Sequence, residues 1–169
     1  MKLNLGSGQR PFPAPWVNVD CQERWKPDVL CDISSLPQNW TGRADVVVLH
    51  QVLEHFDCTG GPALLKECWR VLAPGGRLLV FVPDQVALAR RWLEGGIDDY
   101  LYNVNTYGAY MGDEADRHRW GWCYRSLHTA LQNSGDWKSV RRFNWEDTPP
   151  AAGLAKDWWV LAMEAVKPT

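Results

Sequence analysis

Leu3-Asn4-Leu5-Gly6-Ser7-Gly8 reads as a short strand running straight into two glycines. Trp16-Val17-Asn18-Val19-Asp20 follows as a second, alternating strand closed by an acid, and Asp28-Val29-Leu30-Cys31-Asp32 as a third, closed the same way. Asp45-Val46-Val47-Val48-Leu49-His50 is a continuous apolar run, the mark of a strand covered on both faces. Glycines after a first strand let backbone approach a ligand, because no Cβ intervenes. An acid at the end of the second strand can accept two hydrogen bonds from a ribose diol. This opening therefore predicts an α/β fold with a nucleoside-type site at the strand ends.

Working outward, Gly61-Pro62 opens a helix, Pro62 being suited to the first helical position. Leu64, Leu65, Cys68, Val71 and Leu72 keep its apolar spacing, and Ala73-Pro74-Gly75-Gly76 ends it. Leu78-Leu79-Val80-Phe81-Val82 is the second fully buried strand. Asp84 caps a helix from Gln85 to Glu94, which Gly95-Gly96 terminates. Arg125 to Ser134 is a further short helix with Leu127, Ala130 and Leu131 on one side. Trp137–Trp145 and Trp158–Val166 read as two strands joined by the loop around Pro149-Pro150, an antiparallel hairpin at the sheet edge. Strands alternating with helices imply a mostly parallel sheet. With no repeat and no low-complexity linker, residues 1–169 form one domain. Only seven residues, three of them Pro (Pro11, Pro13, Pro15), separate Gly8 from Trp16. A crossover between parallel strands normally takes a dozen or more. The first crossover is thus a compact loop with a shortened helix, and the wall it lacks must come from elsewhere.

The composition narrows the function classes. A chain of 169 residues, 46% apolar and 22% charged, is that of an ordinary globular domain. Eighteen Lys and Arg against twenty Asp and Glu give a net charge of −2, which supplies no general attraction for nucleic-acid backbones. No apolar run is long enough for a membrane span, and Met1 to Gly6 lead into folded sequence with no signal peptide. Five cysteines, odd in number and never spaced C-x-x-C, read as reduced thiols of a cytoplasmic protein. Eleven tryptophans are unusually many, and exposed ones leave self-association, a homodimer included, open.

In open α/β sheets ligands sit beyond the carboxyl ends of the strands. Here those ends carry Gly6-Ser7-Gly8, Asp20, Asp32, His50-Gln51 and Pro83-Asp84. A dinucleotide fingerprint needs a third glycine, which Gly6-Ser7-Gly8-Gln9-Arg10-Pro11 lacks, and no P-loop occurs. A nucleoside ligand without phosphates fits better, and S-adenosylmethionine is one. The runs Leu3–Gly8, Val17–Asp20, Cys31-Asp32-Ile33, His50-Gln51-Val52-Leu53-Glu54-His55 and Trp69-Arg70-Val71-Leu72-Ala73-Pro74-Gly75-Gly76-Arg77-Leu78 stand in order. In this the chain resembles the class I S-adenosylmethionine-dependent methyltransferases, specifically a small subgroup that begins directly at the first strand. The resemblance spans about residues 2–84, and His118-Arg119-Trp120-Gly121-Trp122 extends it more loosely. It implies a Rossmann-like methyltransferase fold. It also implies that Leu5, Gly6, Ser7 and Gly8 pass beneath the cofactor and that Asp20, beside Cys21, holds the ribose hydroxyls. Asp32 and Ile33 would frame the adenine, although Asp32 can also simply cap the turn at Ser34-Ser35. The His50 backbone would meet the methionine amino group, with Gln51 and Leu53 lining the site.

For the acceptor, all five tyrosines, His118, Trp120 and Trp122 fall in the segment of about residues 97–124, which reads as an aromatic lid. His118 and His55 are the catalytic candidates, with Asp84 a further possible base. Arg117 and Arg119 beside His118 favour its neutral form. Gln51-x-x-Glu54-His55 resembles a metal motif of some O-methyltransferases, and with His118 it offers a divalent ion several ligands, but Gln stands where that motif has its first Glu, and no metal is expected. No Asp- or Asn-Pro-Pro-Tyr run follows the fourth strand, which counts against methylation of nucleobase amines. The expectation is methyl transfer to O or N of a small sugar-like or aromatic acceptor; the rival is a non-catalytic nucleoside-binding module that works through a protein partner.

Overall fold

The computed structural model describes residues 1–110, 112–143 and 157–169. Seven strands form one sheet: β1 (Lys2–Leu5), β2 (Trp16–Asp20), β3 (Val29–Leu30), β4 (Ala44–His50), β5 (Leu72–Pro83), β6 (Ser139–Arg142) and β7 (Val160–Val166). Their order is β3-β2-β1-β4-β5-β7-β6. The first five run parallel, while β7 is antiparallel to β5 and β6 antiparallel to β7. Among the described residues four α-helices accompany it: α1 (Gly60–Val71), α2 (Gln85–Leu93), α3 (Asp99–Tyr107) and α4 (Tyr124–Gln132). The mostly parallel sheet with an antiparallel edge pair agrees with the sequence expectation.

Alternation along the central strands divides the core in two. Val47, Leu49, Leu78, Val80 and Val82 join Leu64, Leu65, Cys68, Leu127 and Leu131 in the larger cluster. Val48, Leu79, Phe81 and Ala162 belong to the smaller cluster, with Phe12, Trp16 and Phe143. Phe12 and Trp16 lie edge to face at 5.1 Å. They supply the wall that the shortened crossover gives up. Burying two large rings there replaces part of the apolar cover of a helix face.

Two buried asparagines hold that loop in place. Asn4 donates from Nδ2 to Asn18 Oδ1 at 2.9 Å. Asn18 Oδ1 also accepts from the Phe12 N–H at 2.7 Å, and Asn18 Nδ2 donates to the Phe12 carbonyl at 2.9 Å. Polar groups this deep must be satisfied, and the loop backbone satisfies them. On the far edge, buried Glu164 of β7 pairs with Arg77 of β5 and Arg141 of β6, both at 2.6 Å.

Several boundaries differ from the sequence reading. The third strand keeps only Val29 and Leu30. β5 begins at Leu72, directly after α1, and takes in the Pro-Gly-Gly stretch. The edge strand β6 ends at Arg142, so Trp145 and the loop around Pro149-Pro150 lie outside the described residues. The segment expected as a long loop contains α3, a helix with no buried residue. Caps and local contacts hold it: the Asp98 side chain accepts from the Leu101 N–H at 2.7 Å, and Tyr102 stacks on Trp92 at 4.6 Å. A helix without a buried stripe has no apolar period for the sequence to display. Among the described residues no helix is long and apolar enough to cross a membrane, and all five cysteines are free.

Candidate active site

The carboxyl ends of β1, β2 and β4 open into two adjoining cavities of about 560 and 510 Å³. Gly6, Gly8, Trp25, Gln51 and Asp116 border both. The larger also takes in Asp20, Cys21, Gln22, Asp32 and Ile33 on one side and Val52, His55, Phe56 and Asp57 on the other. The smaller adds Ser7, Arg10, Phe12, His50 and Trp159.

The glycine turn is shaped by what surrounds it. Gly6 has φ +66° and Gly8 φ +48°, conformations that side chains rarely adopt. A Cβ on Gly6 would stand 2.7 Å from Cγ2 of Val52, so the turn passes against the segment after β4 with no room for one. Asp20 closes the turn from β2. Its Oδ2 accepts from the Gly8 N–H at 2.8 Å and its Oδ1 from the Gln22 N–H at 2.9 Å. Each carboxylate oxygen keeps a further lone pair for a ligand hydroxyl. Asp32 is exposed, and its Oδ1 accepts from both the N–H and the hydroxyl of Ser34 at 2.8 Å. It therefore caps that turn and also borders the cavity.

After β4 the chain turns sharply at Gln51, a non-glycine residue at φ +57°. Its N–H donates to the Phe81 carbonyl at 2.8 Å, which secures the strained conformation from β5. Two buried amide atoms at the larger cavity, Gln22 Oε1 and Gln51 Nε2, have no partner among the described residues. Such orphans are rare in folded proteins and fit a polar ligand with both a donor and an acceptor. Together with the Cβ-free turn at Gly6 and Gly8, they fit the cofactor named by the sequence resemblance. Asp57 caps the start of α1, accepting from Thr59 and Gly60. These bonds hold its carboxyl down at about 2.

Of the residues expected here, Gly6, Gly8, Asp20, Cys21, Asp32, Ile33 and Gln51 border the larger cavity, and Ser7 and His50 the smaller. Leu5 and Leu53 do not. Both are fully buried in the larger core cluster, and Val52 lines the cavity where Leu53 was expected. The short helical turn Leu53–His55 points Leu53 inward, which strand-end counting alone does not reveal. Trp25, Val52, Asp57, Asp116 and Arg119 were not expected from the sequence.

The aromatic lid also needs correcting. Residues 109–119 do border the cavities, but through Ala109, Ala115, Asp116 and Arg119. None of the tyrosines lines either cavity, and Tyr100, Tyr107 and Tyr110 are largely exposed. Trp122 is buried, packing over Gly61 of α1 and pairing with Asp84 after β5. Aromatic walls come instead from Trp25, Phe56, Phe12 and Trp159.

The histidines separate in the same way. His55 borders the larger cavity, whereas His118 borders neither. Their rings meet edge to face at 4.9 Å. Each Nδ1 bonds a backbone carbonyl at 3.1 Å, Arg117 for His55 and Asn105 for His118. Burial lowers His55, partly offset by the carbonyls of Arg117 and Ala115. Burial first, then the His55 ring, brings His118 down to about 4. The neutral state expected for His118 thus has another cause than its flanking arginines. His50, beside the smaller cavity, is also brought down to about 4, by burial and then the Arg10 charge. Glu54, between these groups in sequence, is fully buried, and neither carboxylate oxygen has a partner among the described residues.

Comparison with known proteins agrees with this geometry. Residues 16–80 match the model of the methyltransferase domain family. A comparison with curated proteins finds no match by sequence. Among solved structures, the chain is similar to the 1,6-didemethyltoxoflavin N1-methyltransferase of Burkholderia thailandensis, determined with 1,6-didemethyltoxoflavin and S-adenosylhomocysteine bound. The two share 20% identity at a TM-score of 0.56, over 99% of this chain and 71% of that one. A S-adenosylmethionine-dependent methyltransferase from Thermotoga maritima is 16% identical at TM-score 0.61, over 98% of this chain and 81% of that one. One from Archaeoglobus fulgidus is 14% identical at TM-score 0.60, over 98% and 85%. The fold is that of the class I methyltransferases. Inside that fold, residues 16–80 carry the match to the methyltransferase domain.

Proposed function

We propose that this chain is a methyltransferase that moves a methyl group from S-adenosylmethionine to an oxygen or nitrogen of a small sugar-like or aromatic acceptor. The observation that carries the reading is the pair of cavities meeting at Gly6, Gly8 and Gln51. The larger, with Asp20 and Ile33, takes the adenosine part of the cofactor. The smaller, walled by Phe12 and Trp159 and edged by His50 and Arg10, takes the acceptor. The methionine part crosses the glycine turn between them. A neighbour of the same fold was determined with 1,6-didemethyltoxoflavin and S-adenosylhomocysteine bound, which supports a small-molecule acceptor.

When bound, the cofactor supplies an electrophilic methyl on a sulfonium. The protein's own part is alignment, which is worth several kcal/mol in such displacements. Asp20 holds the ribose diol, Gln22 and Gln51 satisfy their orphaned atoms on the ligand, and the aromatic walls exclude water. His50, neutral near pH 7, is the base that borders the acceptor cavity, while His55 borders the cofactor cavity and His118 neither.

The test is calorimetric titration with S-adenosylmethionine and S-adenosylhomocysteine, followed by a screen of small hydroxyl and amine acceptors with labelled cofactor. Micromolar cofactor binding and label transfer to at least one acceptor are expected. A folded protein that binds neither compound overturns the reading, and the non-catalytic binding module then remains.

A further inference from the structure

We propose that Glu54, His55 and His118 form a site for one divalent first-row transition-metal ion, of the zinc or cobalt kind, which fastens the 112–119 segment beside the cofactor cavity.

One ligand-capable atom of each of these residues lies within 4.8 Å of the others. A histidine pair alone would carry little weight. The second observation is Glu54, 1% exposed, with both carboxylate oxygens lacking any partner among the described residues. Buried carboxylates are normally paired, hydrogen-bonded or bound to a metal, because leaving one unpaired is costly. No Lys or Arg bonds this one, so the ring nitrogens beside it and whatever they bind are its available partners.

The rings are prepared for ligation. The carbonyls of Arg117 and Asn105 can only accept, so Nδ1 of each ring carries the proton that it donates. In the neutral ring this leaves the lone pair on Nε2. Metal-binding histidines are oriented in the same way, with the second nitrogen donating to a carbonyl. Two imidazoles and a carboxylate suit zinc, cobalt or iron, whereas magnesium and calcium want oxygens throughout. Ligand atoms around a tetrahedral zinc at about 2.0–2.2 Å stand roughly 3.5 Å apart. The cluster must therefore contract by about an ångström, a change within reach of side-chain torsions. Gln51 is not part of the set.

The three residues join two stretches of chain. Glu54 and His55 sit just after β4, and His118 sits in the segment that borders the cavity through Ala115, Asp116 and Arg119. Backbone bonds already run between them: Arg119 and Trp120 N–H donate to the Glu54 carbonyl at 2.8 and 3.2 Å. An ion at this junction adds a fourth tie beside the His55–Arg117 bond. Binding of the ion stands independently of the reaction, while its effect on the cofactor rests on the cavity reading above.

The experiment uses the full chain stripped with a chelator and then titrated with Zn²⁺ by calorimetry and with Co²⁺ by visible absorption, Mg²⁺ serving as control. The expected result is one Zn²⁺ per chain, a d–d spectrum with Co²⁺, no saturable Mg²⁺ binding, and a raised Tm with Zn²⁺. Glu54→Gln and His118→Asn should each weaken Zn²⁺ at least tenfold while keeping the far-UV circular dichroism of the parent. Glu54→Gln keeps the shape of the side chain, and His118 is only half-buried, so both variants are expected to fold. Failure of the parent chain to bind stoichiometric Zn²⁺ overturns the site. So does binding that survives both substitutions and disappears when the cysteines are alkylated. Cofactor titration is run in parallel: cofactor binding without an ion overturns the metal site alone, and an ion without cofactor binding overturns the methyltransferase reading alone.

Discussion

The Gly8 N–H donates to Oδ2 of Asp20 at 2.8 Å, so the acid expected to hold a ribose also fixes the turn over which the cofactor passes. Asp20→Ala removes both functions together, while Asp20→Asn keeps the turn through its amide oxygen and loses the charge. Asp20→Ala should weaken S-adenosylhomocysteine at least tenfold, or about 1.4 kcal/mol. Asp20→Asn should lose less. Calorimetry on both variants checks the order, and equal affinities for all three proteins would remove Asp20 from the site.

Gly6→Ala meets two obstacles, the left-handed backbone at φ +66° and the Val52 side chain 2.7 Å from the new Cβ. We expect about 1–3 kcal/mol of lost stability. Val52→Ala in the same chain should restore only the steric share, because it leaves the backbone conformation untouched. Urea denaturation of the two single variants and the double variant separates the terms.

Asn18→Ala unpins the first crossover. It leaves the Phe12 N–H and the Asn4 amide without their buried partner, at a cost of about 1–3 kcal/mol for each unsatisfied group. The loss should appear as a lower urea midpoint. It should also reach the smaller cavity, which Phe12 lines, as weaker acceptor binding with cofactor affinity much less changed.

Stability should fall with acid in a defined window. His50 is brought down to about 4 by burial, with Arg10 adding to the effect and Asp157 opposing it. As pH falls below about 6.5, the unfolded chain takes up a proton that the folded chain refuses until about 4. The folded state therefore loses ground across that interval, by about 3 kcal/mol for this group at about 1.36 kcal/mol per unit, and no further below it. His50→Gln should flatten that part of a Tm-against-pH curve relative to the parent.

The strands and the glycine turn were legible because their signals are local. A buried parallel strand reads as an unbroken apolar run, and β4 and β5 appear where Val46–Leu49 and Leu78–Val82 place them. Asp20 marks the end of β2 as read, whereas Asp32 lies two residues past β3 in the turn that it caps. What stayed hidden depends on direction and on neighbours distant in sequence. Leu53 and Val52 differ by one position, and only the short helical turn after β4 decides which of them meets the cavity. α3 buries nothing, so it leaves no period to read. The tyrosines cluster in sequence, yet their exposure depends on how α3 lies against α2. The isolation of the Glu54 carboxylate is a property of the packed chain and has no counterpart in the sequence.

Trp25 borders both cavities, with the Arg24 guanidinium 4.6 Å above its ring. This placement gives the protein an optical reporter of its own. A nucleoside stacking beside that indole, or an acceptor arriving from the other side, changes its emission without a label. Trp16 and Trp122, buried at 5% and 3% exposure, supply a background that ligands do not reach. Occupancy of the two chambers can thus be followed by light on the timescale of turnover, and Trp25→Phe identifies which part of the signal belongs to the site.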